Sequence, residues 1–185
     1  MRSIEAKPDA GYTPLAKALH WLMVALLFCQ YAIAWTMPHI GRDTKPDRLI
    51  NLHLSFGVLI LLVLAIRLVW RWTHAEPPPL AGPPWLVRGS RAAHHLLYLL
   101  LVLIPLLGWI NASFRGFDVS LFGLIRLPQL IATRTPGFAW TGDVHALASN
   151  YLLLPLAGLH VGAALYHWLV RKDRVLQRML PRAWT

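Results

Sequence analysis

Four long apolar stretches constrain the fold of this chain more than any other feature. They run over residues 15–36, 49–70, 94–112 and 145–170. About 20 apolar residues in a helix are needed to cross the hydrocarbon core of a bilayer. The chain is also 56% hydrophobic and only 14% charged, too few charges to cover a soluble domain of this length. The sequence therefore predicts an all-α integral membrane four-helix bundle, with residues 1–185 forming a single membrane domain.

The net charge of +10 indicates topology here rather than nucleic-acid binding. With both termini on one side, that side holds twelve of the Lys and Arg residues and the opposite loops hold six. The positive-inside rule then predicts cytoplasmic termini in a bacterial inner-membrane protein. The twelve are Arg2, Lys7, Lys17, Arg67, Arg71, Arg88, Arg91, Arg171, Lys172, Arg174, Arg178 and Arg182, and the six are Arg42, Lys45, Arg48, Arg115, Arg126 and Arg134. The basic C-terminal tail could also bind anionic membrane lipid.

The connections and helix ends carry their own signals. Residues 74–89, HAEPPPLAGPPWLVRG, favour a semi-rigid, partly extended connection. Residues 122–131, FGLIRLPQLI, have the spacing of a short amphipathic helix lying on the membrane surface. Thr13-Pro14 is typical of a helix start, and Pro105 predicts a kink in the third helix.

Four histidines lie inside the apolar stretches: His20, His53, His160 and His167. A histidine buried in hydrocarbon is costly, so it normally has a partner, a ligand or a proton to handle. His160 and His167 share one helix face, about 20° apart around the axis and about 10.5 Å apart along it. This pattern predicts two bis-histidine centres, and haem b fits the count best. The single cysteine, Cys29, and the lack of a C-x-x-C-H segment exclude covalent attachment.

Depth in the membrane predicts how the four histidines pair. His20 and His167 both lie near the cytoplasmic end of their helices and should share one iron. His53 lies near the outer end of the second helix and should share the other with His160. The second pair is less well matched, because His160 falls nearer the middle of the membrane than His53.

Simpler explanations stand beside the haem hypothesis. Each histidine could hydrogen-bond across helices, and a metal-transport pathway is a further alternative, although no span has Asp or Glu in its middle. His94 could bond a haem propionate or a quinone carbonyl, and Arg67 could pair with a propionate or snorkel to headgroups. His145 could carry protons or cap a binding site. Glycines that could admit a flat porphyrin, or only close helix packing, are Gly57, Gly108, Gly158 and Gly162.

Four segments together resemble the bacterial cytochrome b561 family of four-helix dihaem membrane proteins. They are ALHWLMVALLF, NLHLSFGVLILLVLAIRLVWR, AAHHLLYLLLVLIPLLGW and GLHVGAALYHWLVRKDRVLQRMLP. The resemblance covers almost the whole chain. It implies two haem b groups with iron ligands at His20, His53, His160 and His167. It also favours His94, four residues before Tyr98, as the functional histidine of the third helix.

The resemblance also implies a function, with quinone as the membrane substrate. Members of the family exchange electrons with the quinone pool, and one branch is linked to oxidising periplasmic superoxide and reducing ubiquinone. Arg115, Arg126 and Arg134 of the outer loop could steer such a small anion or bind lipid. The alternative is a haem-binding anchor subunit that relays electrons between quinone and a partner protein such as a hydrogenase or formate dehydrogenase. The short tails favour autonomous action.

Overall fold

The computed structural model of the protein describes residues 11–41, 43–75, 77–78 and 83–180. This part of the chain contains four helices long and apolar enough to cross a membrane, which confirms the predicted helical membrane fold. They are α1 (Pro14–Thr36), α2 (Arg48–Thr73), α3 (Pro84–Arg115) and α4 (Thr141–Arg171). Four residues counted in the topology prediction, Arg2, Lys7, Arg42 and Arg182, lie outside the described residues. The side on which the termini lie stays a prediction.

The two ends of the bundle are defined by contacts between antiparallel neighbours. Near the start of α1, the Ala16 carbonyl accepts a hydrogen bond from Arg67, which lies near the end of α2. Near the end of α1, Gln30 contacts His53, which lies near the start of α2. We call the end with the start of α1 and the end of α4 the terminal end, and the opposite end the distal end.

Short polar caps determine where α1 and α2 begin. The Thr13 hydroxyl accepts a hydrogen bond from the Ala16 N–H, and Pro14 occupies the first turn, where its missing N–H costs nothing. This confirms the predicted start of α1. The Asp47 carboxylate accepts a bond of 2.8 Å from the Ile50 N–H and caps α2 in the same way.

The third helix is longer than the sequence predicts. It begins at Pro84 rather than near His94, so the end of the proline-rich segment is helical and not extended. Proline in a first helical turn is well tolerated, which explains why a proline-rich run can lead directly into a helix. Pro105 lies inside α3, which continues to Arg115 and ends at Gly116 with a φ of 73°.

The amphipathic surface helix predicted for FGLIRLPQLI is wrong. This segment instead contains an antiparallel hairpin of β1 (Ser120–Leu121) and β2 (Ile125–Arg126). Phe122 and Gly123 form its turn with φ angles of 51° and 74°, the positive values that a tight hairpin turn requires. Pro128 then removes a backbone donor that a helix over the whole segment would need.

Helix α4 begins at Thr141, one turn before His145, and includes two π-helical turns.

The buried core is formed by Leu19, Met23, Leu26, Ile60, Val63, Leu64, Leu100, Leu101, Ile104 and Leu153. Many large apolar side chains remain outside it, such as Phe28 and Leu159, which are 76% and 71% exposed. A surface of this kind is suited to lipid rather than water.

Candidate cofactor sites

The distal site is built around His53 of α2 and His145 of α4. Their ring centroids are 5.9 Å apart and the ring planes lie at 82°. Both rings line a cavity between the helices, together with Tyr31 and the glycines Gly57 and Gly108. The residues lining this cavity are mostly apolar and include no Lys, Arg, Asp or Glu.

A backbone carbonyl and a glycine fix the position of His145. Its Nδ1 lies 2.8 Å from the carbonyl oxygen of Ile104, so Nδ1 carries the proton and donates it to that oxygen. The lone pair is then on Nε2, the arrangement usual for a metal-ligating histidine. A Cβ at Gly108 would lie 2.9 Å from Cε1 of His145, so only glycine leaves room for the ring against α3.

His53 has a different surrounding. The Gln30 amide nitrogen lies 3.2 Å from His53 Nε2 and donates a bond of 3.2 Å to the His53 carbonyl. Two buried polar atoms here, His53 Nδ1 and Gln30 Oε1, have no hydrogen-bond partner. Buried polar atoms are normally satisfied, so this site fits a further partner such as a metal-bearing group.

The terminal site joins three helices. The His20 ring of α1 lies 6.2 Å from the His160 ring of α4, with the planes at 67°. The His94 ring of α3 also contacts the His160 ring, with the two ring centroids 5.3 Å apart. The structure therefore brings together two of the predicted iron ligands and the third-helix histidine that the sequence singled out.

Two arginines, Arg67 and Arg71, lie at the same end of the bundle as this site. Arg67 donates to the Tyr98 hydroxyl at 3.2 Å and to the Ala16 carbonyl at 3.0 Å. Arg71 also reaches the Tyr98 hydroxyl, at 3.4 Å, and its guanidinium lies 5.3 Å from the centre of that ring. Two guanidinium groups on one phenol oxygen make this region suitable for an anionic group such as a carboxylate.

The predicted pairing of His20 with His167 and of His53 with His160 differs from the structure. His160 lies beside His20, and His145 takes the place beside His53. The physical reason is the start of α4: four residues separate Thr141 from His145, and five separate Arg48 from His53, so the two histidines lie at matching depths. The spacing of His145 and His160, fifteen residues or about 22 Å of helix, is the signal that the sequence analysis missed.

His167 lies instead at the end of α4, where it contacts an acidic side chain. Its Nδ1 lies 2.5 Å from a carboxylate oxygen of Asp173, and the Val175 N–H donates to the other oxygen. Burial acts to raise the pKa of Asp173, but the hydrogen bonds from His167 and Val175 outweigh it and hold that pKa below its ordinary value. The pair fixes the turn that follows the helix.

Each of the two histidine pairs has the ring spacing expected for two ligands of one metal centre. A metal–nitrogen bond of roughly 2 Å on each side of one metal would put two opposed imidazole centroids roughly 6 Å apart. The two pairs match that distance at 5.9 and 6.2 Å. Among the described residues, no group of three or more His, Cys, Asp or Glu is arranged to hold a metal ion.

A helical membrane bundle with a histidine pair near each end is the arrangement expected of a membrane cytochrome of the b type. Residues 11–182 match the family described as Prokaryotic cytochrome b561, and the chain belongs to that family. It is thus a multi-pass membrane electron-transfer protein that binds b-type haem.

Similar proteins cover nearly the whole chain. Cytochrome b561 homolog 2 of Escherichia coli is 29% identical over 93% of this chain and 92% of its own length. A probable superoxide oxidase of Yersinia pestis is 28% identical over 92% of this chain and 96% of its own length. Cytochrome b562 of Cereibacter sphaeroides is 29% identical over 93% of this chain and 96% of its own length.

Proposed function

We propose that the chain carries two b-type haems, one held by His20 and His160 and the other by His53 and His145. The observation that carries this proposal is the presence of two imidazole pairs at matching ring distances. Their ligands on α4 are fifteen residues apart, or about 22 Å, most of the roughly 30 Å hydrocarbon core. His167 is not a ligand in this proposal, because it is bonded to Asp173.

A b-type haem held by such a histidine pair would supply reversible one-electron transfer. The protein holds the ligand rings in place and keeps water away from them. At the distal site, the Ile104 carbonyl orients His145, while apolar side chains such as Leu101 and Leu153 line the cavity. At the terminal site, Arg67 and Tyr98 are positioned to hold an anionic propionate.

Charge gives the electron path a direction. A nearby cation stabilises the reduced state of a redox centre, because reduction adds a negative charge. Arg67 and Arg71 lie around the terminal site, whereas no ionised Lys, Arg, Asp or Glu lines the distal cavity. We therefore infer that electrons enter at the distal end and leave at the terminal end.

The proposed donor is a small one-electron species at the distal end, and the proposed acceptor is a quinone at the terminal end. Superoxide suits the first role: two superoxide anions would each lose one electron to become dioxygen, and one quinone would take up two electrons and two protons. Support comes from the name of the Yersinia pestis relative and from arginines at the distal end, including Arg115 at the end of α3 and Arg126 in β2. His94 is the residue we propose to bond a quinone carbonyl.

In the cell, the proposed location is the bacterial inner membrane. The bias of Lys and Arg towards the terminal end supports a cytoplasmic position for that end and a periplasmic position for the distal end. Superoxide produced outside the cytoplasm would then meet the distal site, and quinone reduction would draw its protons from the cytoplasmic side.

Stopped-flow mixing of the oxidised protein with superoxide tests this function, in liposomes with and without ubiquinone. We expect haem reduction in both samples and rapid reoxidation only where ubiquinone is present. Superoxide dismutase, added as a control, should abolish the reduction. If the haems accept electrons only from a co-purifying protein, the chain is an anchor subunit and the proposed reaction is wrong.

A further inference from the structure

We propose that the β1–β2 hairpin is re-entrant: it enters the bilayer at the distal end, and its apolar tip contacts lipid acyl chains. Of the hairpin residues, only Arg126 also enters the proposed function, as part of the positive charge at the distal end. The inference is argued from the hydrogen bonds, packing and exposure of the hairpin and does not depend on the proposed electron path.

Hydrogen bonds to Ser55 set the depth of the hairpin. The buried Ser55 hydroxyl lies 2.8 Å from both the Asn51 and the Ser120 carbonyl oxygens, which share its single proton, and it accepts from the Phe122 N–H at 3.1 Å. Ser55 lies seven residues, or about 10.5 Å, below the start of α2 at Arg48. The 26 residues of α2 are about 39 Å long against a hydrocarbon core of about 30 Å. With α2 taken as centred in the bilayer and parallel to its normal, about 4.5 Å extends beyond each boundary. The hairpin turn then lies roughly 6 Å inside the hydrocarbon.

The segment that follows α3 packs against successively deeper residues of α2. Phe117 packs in one buried cluster with Ile50, in the first turn of α2. Further along, the Phe122 ring lies 5.6 Å from the ring of Phe56, which is six residues deeper in the helix than Ile50. The segment after α3 therefore descends into the membrane rather than running across its surface.

Four backbone N–H groups of the hairpin are bonded within the protein, as a segment that enters lipid requires of its donors. Around the turn, the Phe122 N–H bonds to Ser55, the Gly123 N–H to the Ser120 hydroxyl, and the Leu124 N–H to the Leu121 carbonyl. At the base, the Leu127 N–H donates to the Val119 carbonyl. The turn thus needs no water to satisfy these donors.

The outward surface of the hairpin is apolar. Leu124 is 85% exposed, Ile125 61% and Phe122 45%. At the depth set by Ser55, acyl chains are the partner that matches these side chains and continues the lipid-facing surface of the helices. Arg126 pairs with Ser120 at the base of the hairpin, and its long side chain can extend to the headgroups.

Depth-dependent quenching tests the position of the tip. In a Cys29→Ala background, a fluorophore is attached at Leu124→Cys or, as a control, at Ala132→Cys in the exposed part of the same loop, and the proteins are placed in phosphatidylcholine liposomes. We expect the label at 124 to be quenched several-fold more by nitroxide-bearing lipid than by aqueous iodide, and the label at 132 to show the reverse. Equal iodide quenching at both positions would overturn the proposal. So would protection of the label at 124 from both quenchers, because a second copy or another protein would then cover the tip.

A matched pair of serine variants tests what holds the hairpin at this depth. Ser55 and Ser113 are both buried, both donate to the carbonyl four residues earlier, and both accept a loop N–H. Ser113, however, bonds the N–H of Leu130, outside the hairpin. With the label at 124, Ser55→Ala should lower lipid quenching and raise iodide quenching, while Ser113→Ala should leave the ratio unchanged. An unchanged ratio in Ser55→Ala would contradict the assigned anchor.

Discussion

The two histidine sites of the bundle differ mainly in charge. At the distal site, His53 and His145 lie in a cavity whose polar groups are neutral, including Gln30 and Tyr31. At the terminal site, His20 and His160 lie near Arg67, which bonds the Tyr98 hydroxyl. Both sites thus have a pair of histidines, but only the terminal pair lies near a charged side chain. In the proposed two-haem arrangement, this difference would give the two haems different electron affinities although both are held by histidines.

The sites also differ in how their rings are held. His145 is confined by a carbonyl hydrogen bond and by close packing on Gly108. His160 instead contacts two other imidazoles, those of His20 and His94. Steric substitutions should therefore affect the distal site most, and substitutions that change charge should affect the terminal site most.

Removal of one ligand from each site should have the largest effect. We expect His20→Ala and His53→Ala each to lose about one of two haems, because a single imidazole holds haem weakly. The lost haem should differ between the two variants. His53→Ala should lose the distal haem, which we expect to have the lower reduction potential, and His20→Ala should lose the terminal haem, which we expect to have the higher one. Pyridine haemochrome assays and redox titration measure both properties. Loss of the same haem from both variants would show that the two histidines share one site.

Gly108→Ala should damage the distal site specifically. The added Cβ would lie 2.9 Å from the His145 ring, so the ring or α3 must shift, at a cost of about 1–3 kcal/mol. We expect reduced occupancy or an altered spectrum of the distal haem, with the terminal haem unchanged. Gly158→Ala is the matched control, because nothing lies within 4 Å of its added Cβ. Equal effects of both substitutions would mean that Gly108 has no special role.

Arg67→Gln should lower the reduction potential of the terminal haem. Loss of a cation within about 10 Å changes the energy of an added electron by tens of millivolts at an effective dielectric constant of about 20. Arg67→Lys should restore part of the potential, and Arg88→Gln, at an exposed position of the same end, should have little effect. Spectroelectrochemical titration gives the values. An equal shift of both haems would contradict the proposed location of the charge effect.

Asp173→Asn should have the smallest effect and should touch neither haem. Because the pKa of Asp173 is lowered in the folded protein, its carboxylate stabilises the fold above its ordinary pKa of 3.8, and this contribution is lost as the pH falls further. We expect the variant to be less stable by at most about 1 kcal/mol at neutral pH and to match the parent in acid. Thermal unfolding across pH measures this, with exposed Asp118→Asn as the control. A difference that persists unchanged in acid would rule out the His167–Asp173 pair as its cause.

The sequence predicts well those features that depend only on residues close together in the chain. Apolar stretches long enough to cross a bilayer predict the four helices, and Thr13-Pro14 predicts the start of α1. The hairpin could not be predicted in this way, because it depends on the Ser55 hydroxyl, 65 residues from its partner Ser120. Its apolar spacing alone resembles that of an amphipathic helix.

The predicted ligands include three of the four paired histidines, His20, His53 and His160, but neither predicted pair matches the ring contacts of the structure. The reason is that depth depends on where each helix begins. With α4 started at residue 145, His145 falls at the membrane surface and His160 becomes the partner of His53. With α4 started at Thr141, His145 moves one turn into the helix. A shift of four residues in the start of α4 thus changes which histidines lie at the same depth. His167, seven residues from His160, has the right periodicity but is bonded to Asp173.

The haem content of purified His145→Ala and His167→Ala, measured side by side, tests the two-site arrangement most directly. The arrangement of His20 with His160 and His53 with His145 predicts about one haem per chain in His145→Ala and two in His167→Ala. His95→Ala, a third histidine substitution outside both pairs, should also retain two. Two haems in His145→Ala together with one in His167→Ala would contradict this arrangement and restore the pairing of His20 with His167.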